Sequence, residues 1–278
     1  MTRSKEPLPR RERRRLELEE RRAERPQRRE RQRRSSGGSP WRSPMVLFTV
    51  GALVVGIVII GFAFLRPPAD PAPIDDLTSP VAQVPADLAS GRTLGEPDAP
   101  VTIEIWSDFQ CPACRTLAID VEPPIISSFV EPGTAKLVYR DAAFQGQRGD
   151  GRYDESVEAA AGARCAADQG RFWQMHDWLF TNWNGENEGA FRVERLRSIA
   201  GAAGLELVAY DSCMAAGDKQ TAVRGETQEG LSGGINSTPT LFVNGFKVNG
   251  VPTVAQLSEL IRQAAAQATL DVVVAGTR

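Results

Sequence analysis

Ser107-Asp108-Phe109-Gln110-Cys111-Pro112-Ala113-Cys114 places two cysteines where an apolar strand gives way to a helix. Upstream, Val101-Thr102-Ile103-Glu104-Ile105-Trp106 follows Pro100 and is rich in β-branched residues, the pattern of a strand. Downstream, Pro112 suits a first helical turn, where its missing N–H costs little, and Leu117, Val121, Ile125 and Ile126 continue at helical spacing. Pro123-Pro124 should kink or interrupt that helix. By itself a CxxC is ambiguous between redox, metal and structural roles, so the rest of the chain has to decide.

Working outward, Lys136-Leu137-Val138-Tyr139-Arg140 reads as a second strand, and the next hundred residues are dominated by helical patterns. Glu155 to Asp168 puts Val157, Ala161 and Cys165 on one face, with Gly170 placed to end the helix. Further helices are expected near 171–183, 191–203, 206–215 and 217–230. Thr240-Leu241-Phe242-Val243 and Phe246-Lys247-Val248 then flank Asn244-Gly245, a pair suited to the positive φ angles of a tight hairpin. Thr253 and Gln256 form a capping-box pattern that opens a last helix through Val254, Leu257 and Ile261. The order predicts one α/β domain over 91–278, with a helical insert over about 150–232.

The net charge of −2 hides a strong asymmetry: residues 1–44 carry +9 and residues 67–278 carry −12. Between them Met45 to Leu65 is a run of 21 residues without a charge, which as a helix would be about 31 Å long and able to cross a hydrocarbon core. A cleaved signal peptide has a shorter apolar region followed by a small-x-small site, whereas this run ends in Phe64-Leu65-Arg66-Pro67. We read 45–65 as one transmembrane helix. The basic flank should stay in the cytoplasm, which sends residues 66–278 outside, where disulfides are admissible. Residues 1–44 are too polar to build a core and read as a disordered orientation signal; no aromatic or folded context accompanies the arginines to suggest nucleic acid. Residues 66–90 contain six prolines and read as an extended spacer that holds the domain off the bilayer.

Two thiols at CxxC spacing lie within reach of one disulfide, and Cys111 sits at the helix start, where unpaired N–H groups stabilise an anion. Cys111 is therefore the candidate attacking and attacked sulfur, with Cys114 as leaving and resolving thiol. Zinc needs about four ligands, and His176, Cys165 and Cys213 add none at finger-like spacing. A bridge between Cys165 and Cys213 would close a loop of about 48 residues and contribute roughly 4 kcal/mol in the chain-entropy account. We read it as a structural disulfide, with a second redox relay or unpaired thiols as the alternatives. His176, on or beside an apolar helix face, reads as structural, and Asp108, Glu104 and Asp141 as solvated or loop-capping carboxylates.

Three stretches in order, Ser107 to Arg115, Gly170 to Trp183 and Thr238 to Gly245, resemble the DsbA-like thiol:disulfide oxidoreductases of the thioredoxin superfamily over roughly 90–267. The resemblance implies a thioredoxin-like fold with a helical insertion, here preceded by the transmembrane helix. It implies catalytic Cys111 and Cys114, a cis Pro239 facing them, and a backbone at Thr238 that pairs with substrate. The family's buried acidic residue, which helps move the proton of the second cysteine, lies six positions before the first. Here Ile105 takes that place, so Glu104 is a candidate for proton transfer only if the loop holds one extra residue. Ala113 replaces a histidine that stabilises the thiolate in DsbA, which should make the pair less oxidising. The implied activity is disulfide formation in secreted or surface proteins as they emerge unfolded. It needs no soluble cofactor but does need a quinone-linked membrane reoxidant of the DsbB or VKOR type. A reductase or isomerase on the same scaffold and a non-catalytic tethered binding module are the competing expectations.

Overall fold

The structure, a computed structural model, describes residues 76–81, 84–145 and 153–276, with Ala52, Leu53 and Val55 ahead of them. The basic tail over 1–44 and all but those three residues of the expected span over 45–65 lie outside the described residues. Contacts divide the chain into Met1–Asp70 and Pro71–Arg278, and the sheet with its helices belongs to the second unit. Among the described residues no helix is long and apolar enough to cross a membrane.

Six strands form one mixed sheet in the order β1-β2-β4-β3-β5-β6. They are β1 (Ala89–Ser90), β2 (Thr93–Leu94), β3 (Val101–Ser107), β4 (Ala135–Asp141), β5 (Thr240–Val243) and β6 (Phe246–Asn249). β3 and β4 run parallel, while β5 pairs antiparallel to β3. The parallel pair needs a crossover, and residues 112–130 supply it. This helical run comprises α1 (Pro112–Thr116), a π turn (Leu117–Val121), α2 (Glu122–Ile125) and a second π turn (Ile126–Val130). Pro123 and Pro124 therefore interrupt the regular ladder without ending the helix. They fall in the first turn of α2, and the wider turns on either side absorb the missing donors.

Alternation along β3 explains the core. Val101, Ile103 and Ile105 are at most 1% exposed and join Leu117, Val121 and Ile125 of the helical run in one cluster, while Thr102 and Glu104 on the other face are half-buried. Between β4 and β5 the insertion comprises α3 (Glu155–Asp168), α4 (Phe172–Thr181), α5 (Val193–Ala202), α6 (Leu207–Ala216) and α7 (Asp218–Ser232). The hairpin turns on Asn244 and Gly245, at φ 44° and 86°, as its sequence predicts. Thr253 and Gln256 exchange the two capping hydrogen bonds at the start of α8 (Val254–Gly276), which adds Leu257 and Ile261 to the core.

The described part of the expected spacer over 66–90 is docked on the folded body. Thr78 and Asn182 exchange two hydrogen bonds of 2.8 and 2.9 Å, and the Val84 N–H donates to Asp177. Asp76 pairs with Arg195, and Leu77, Val84 and Leu88 pack against the core. Side-chain amide and carboxylate groups of α4 and its end thus satisfy main-chain groups that the prolines leave without a ladder. The folded body begins by Asp76 rather than at 91.

On the other sheet face α7 packs against Trp106 at Gly230, where an added Cβ would stand 2.6 Å from Cζ3 of the indole. Alanine would gain about 1 kcal/mol of helix propensity, but overpacking against a rigid indole costs about 1–3 kcal/mol. The clash should win. Gly230→Ala should therefore lower the urea midpoint of unfolding, whereas a raised midpoint would show that α7 has room to move.

Candidate active site

The loop between β3 and α1 is held by buried polar groups on three sides. Asp108 Oδ1 accepts from the Gln110 N–H, while Oδ2 accepts from the Phe144 and Gln145 N–H groups and the Ser156 hydroxyl, at 2.7 to 3.0 Å. Burial pushes this carboxyl up to about 6, against the four hydrogen bonds that favour its charge. Asp108 does cap the loop, but it is only 2% exposed, so the solvated reading of it fails. Gln110 is fully buried beside Cys111: its amide donates to Glu155 and accepts from the Asn187 N–H, and its carbonyl accepts from Trp183 Nε1. Glu155 in turn accepts from the Gly189 and Phe191 N–H groups. The insertion thus clamps the loop that carries the cysteines.

Cys111 is the N-cap of α1 with extended backbone angles, and Pro112 follows in the first turn. Both cysteines are free and buried. The Cys111 thiol lies 3.5 Å from the Thr238 carbonyl, and the Cys114 sulfur accepts from the Asp108 N–H at 3.5 Å. The Thr238–Pro239 bond is cis, and pairing of Trp106 with Thr240 sets this segment beside the cysteine loop. A hydrogen bond from Cys114 lowers the Cys111 thiol to about 6; burial opposes this, and Thr238 with the Ala113 and Cys114 N–H groups assists. Burial first, then proximity to Cys111, raises Cys114 well above the ordinary thiol range. The pair is therefore electrically asymmetric, with an anion-stabilised outer sulfur and a proton held on the inner one.

Glu104 is not brought to the cysteines. Side chains alternate along a strand, so Ile103, Ile105 and Ser107 face the cysteine helix while Glu104 and Trp106 face away. The Glu104 carboxylate accepts from Trp106 Nε1 at 2.7 Å and lies 3.6 Å from Arg140. No extra loop residue shifts the register, which is continuous from Val101 to Ser107 against β4. Asp141, also read as solvated, is 1% exposed and sits in an ion cluster with Arg92, Arg164 and Glu226. Cys165 and Cys213 are bonded to each other and tie α3 to α6. His176 is buried among Phe109, Tyr139, Phe172, Trp173 and Phe180, 3.0 Å from Asp177 and 3.6 Å from Glu122. Among the described residues no group of three or more His, Cys, Asp and Glu side chains could hold a metal ion.

A family model described as thioredoxin matches residues 88–263. Among curated relatives, "Probable disulfide bond formation protein D" of Bacillus anthracis is 26% identical over 161 residues, 57% of this chain and 71% of that protein. "Na(+)/H(+) antiporter NhaA 1" of Salinispora arenicola is 29% identical over 230 residues, 79% of this chain but 32% of the antiporter. The chain thus spans about a third of the length of that antiporter, and about a quarter of a second one, from Salinispora tropica, that matches over 26% of its length. Among solved structures, BdbD from Bacillus subtilis superposes with a TM-score of 0.57 at 22% identity, covering 69% of this chain and all of that one. Alpha-DsbA1 from Wolbachia pipientis gives 0.56 at 18% identity, covering 65% and 94%.

The asymmetry of the thiols has a direct reading. In the reduced chain, alkylation by iodoacetamide should modify Cys111 alone under native conditions, with a rate that rises as pH passes through about 6 and levels above it. A rate that climbs only toward pH 9 would show that nothing in the site stabilises the thiolate.

Proposed function

The chain belongs to the thioredoxin family, as a DsbA-like member, and from that premise we propose that it exchanges disulfides with protein thiols through Cys111 and Cys114. The observation that carries this reading is the placement of the two cysteines, Cys111 at the helix start 3.5 Å from the Thr238 carbonyl and Cys114 buried behind it, with Cys111 lowered and Cys114 raised. In the oxidising direction, a substrate thiolate attacks the Cys111 sulfur of the Cys111–Cys114 disulfide, the bond between the cysteines breaks, and Cys114 leaves with the electron pair. A second substrate thiolate then attacks the substrate sulfur of the mixed disulfide. It releases Cys111 as the thiolate that its surroundings stabilise.

Oxidation is the direction we propose. An environment that lowers the Cys111 thiol stabilises the reduced pair, and a stabilised reduced pair is the stronger oxidant. Ala113 works the other way, since no histidine stands between the cysteines, and it keeps reduction or isomerisation as the second reading. Against a purely structural CxxC stands the placement of Cys111 at a helix start beside the Thr238 carbonyl. The substrates are unfolded secreted or surface polypeptides, and a membrane oxidant of the DsbB or VKOR type re-forms the disulfide. The uncharged run over 45–65 behind a +9 tail supports a single-pass anchor with the cysteines outside the cytoplasm.

Cys111→Ser should abolish oxidation of a reduced peptide by the purified chain, whereas Cys114→Ser should accumulate mixed disulfides in cells that identify the substrates. Unchanged oxidation by Cys111→Ser would return the motif to a structural role. A reduction potential near about −120 mV supports oxidation, and one near about −270 mV assigns the site to reduction. A reporter fused after Arg278 should be active only outside the cytoplasm.

A further inference from the structure

A cavity of about 760 Å³ lies between the crossover helical run, α4 and the docked segment at 78–81 and 84–85. Its volume falls in the range of sites for small organic molecules. Ile119, Ile126, Phe180 and Pro80 give it apolar walls, and neither Cys111 nor Cys114 lines it. Glu122 breaks this apolar surface. Ala118, Glu122 and Ile126 follow at intervals of four along the helical run and line the same cavity, so a carboxyl occupies the middle of an apolar stripe.

The charge of this carboxyl is poorly matched by its surroundings. Glu122 is 5% exposed, yet no hydrogen bond among the described residues reaches its oxygens. Its one ionic contact is His176 Nε2 at 3.6 Å, a buried nitrogen that closes no hydrogen bond either. The imidazole is shared, because Nδ1 lies 3.0 Å from Asp177, a second acid lining the cavity. A protonated His176 thus brings one positive charge to two carboxylates. Asp177 has a further donor in the Val84 N–H, and Glu122 has none.

The remaining charged groups on the cavity wall do not restore the balance. Arg115 donates to the Phe180 carbonyl and lies over the Trp183 ring, while Glu131 adds another acid. Burial raises the Glu122 carboxyl, His176 lowers it, and Asp177 raises it again. An ionised carboxyl in an apolar wall is unfavourable unless a counter-charge meets it.

We propose that this cavity binds a small organic cation, an ammonium group on an apolar body, with Glu122 as the counter-charge and the apolar walls holding the body. Charge complementarity selects the head group. An anion would meet Glu122, Asp177 and Glu131 together, and a neutral donor would supply a hydrogen bond but leave the charge unmatched. The site is separate from the cysteine pair, so it stands or falls independently of the exchange chemistry.

The test uses the full chain in detergent micelles and three probes of one shape: para-fluorobenzylamine, para-fluorobenzyl alcohol and para-fluorobenzoate. Broadening of the fluorine NMR line, referenced to empty micelles, reads binding. The amine should bind on the order of tenfold or more tighter than the alcohol, the margin of one charge-assisted hydrogen bond, and the benzoate should not bind. Glu122→Gln, nearly the same in shape, should remove the advantage of the amine and leave the binding of the alcohol in place. Ile119→Trp, at a wall residue 38% exposed, should weaken amine and alcohol alike by filling the space, and it decides if Glu122→Gln fails to fold. Equal binding of amine and alcohol to the unsubstituted chain would overturn the cation site and leave an apolar cavity only. Undiminished binding of the amine by Glu122→Gln or by Ile119→Trp would overturn it by placing the probe elsewhere, and so would failure of the amine to bind at all.

Discussion

The carboxylate of Asp108 holds the site together. Its two oxygens take hydrogen bonds from the loop that carries the cysteines, from the segment after β4 and from the start of α3. Hydrogen bonds to a charged group contribute about 1.5–3 kcal/mol each when buried, and leaving their donors unpaired costs about as much. Against this stands the expense of removing a carboxylate from water, which shows in its raised pKa. The residual balance matters less than the geometry. The bonds bring chain segments 36 to 48 residues apart to one point, and the Asp108 N–H is then the donor that meets Cys114.

Buried ionisable groups of both signs surround the sheet, and their effects on stability run in opposite directions. Asp108 and Asp141, raised to about 6, bind a proton more tightly folded than unfolded; what they contribute is fully present below their ordinary range near 4 and is lost as pH rises through 6. Glu226 behaves inversely. Burial works against its charge, but hydrogen bonds from Arg92, Arg140 and the Asp141 N–H lower it to about 2, so its contribution is present above about 4.5 and lost as pH falls through 2. At neutral pH the protein keeps the benefit of Glu226 and carries the cost of the two aspartates. That cost accompanies geometry: Asp108 gathers the loop that carries the cysteines, and Asp141 joins the end of β4 to Arg92 and Arg164.

Much of the fold was legible because its signals are local. The CxxC behind a strand, the Asn244-Gly245 turn, the Thr253/Gln256 cap and the order of helices in the insertion each depend on residues a few positions apart. The parts that were not legible depend on partners far along the chain. Nothing near Gln110 announces Glu155 or Asn187, and nothing near Thr78 announces Asn182 104 residues later. Prolines over 66–90 signal a segment without a regular ladder, which says nothing about whether that segment is free or docked. Arg92, Arg164, Asp141 and Glu226 read singly as surface charges, and only the packed fold brings Arg92 within a hydrogen bond of Glu226, 134 positions away.

The contrast between Glu104 and Asp141 shows which kind of reasoning fails and why. Counting back from Cys111 measures distance along the chain, but a strand converts each single step into a change of face. Glu104 is close in count and on the wrong side, fixed there by an unbroken pairing of seven residues with β4. Asp141 is 27 residues beyond Cys114, yet the same pairing sets it opposite Ser107, the last strand residue before the cysteine loop. Parallel strands make this possible, since both chains reach the same edge of the sheet together and deliver their C-terminal residues to one place. A carboxylate at the end of the neighbouring strand can therefore share the face of the cysteine helix when one on the strand that leads into it faces away.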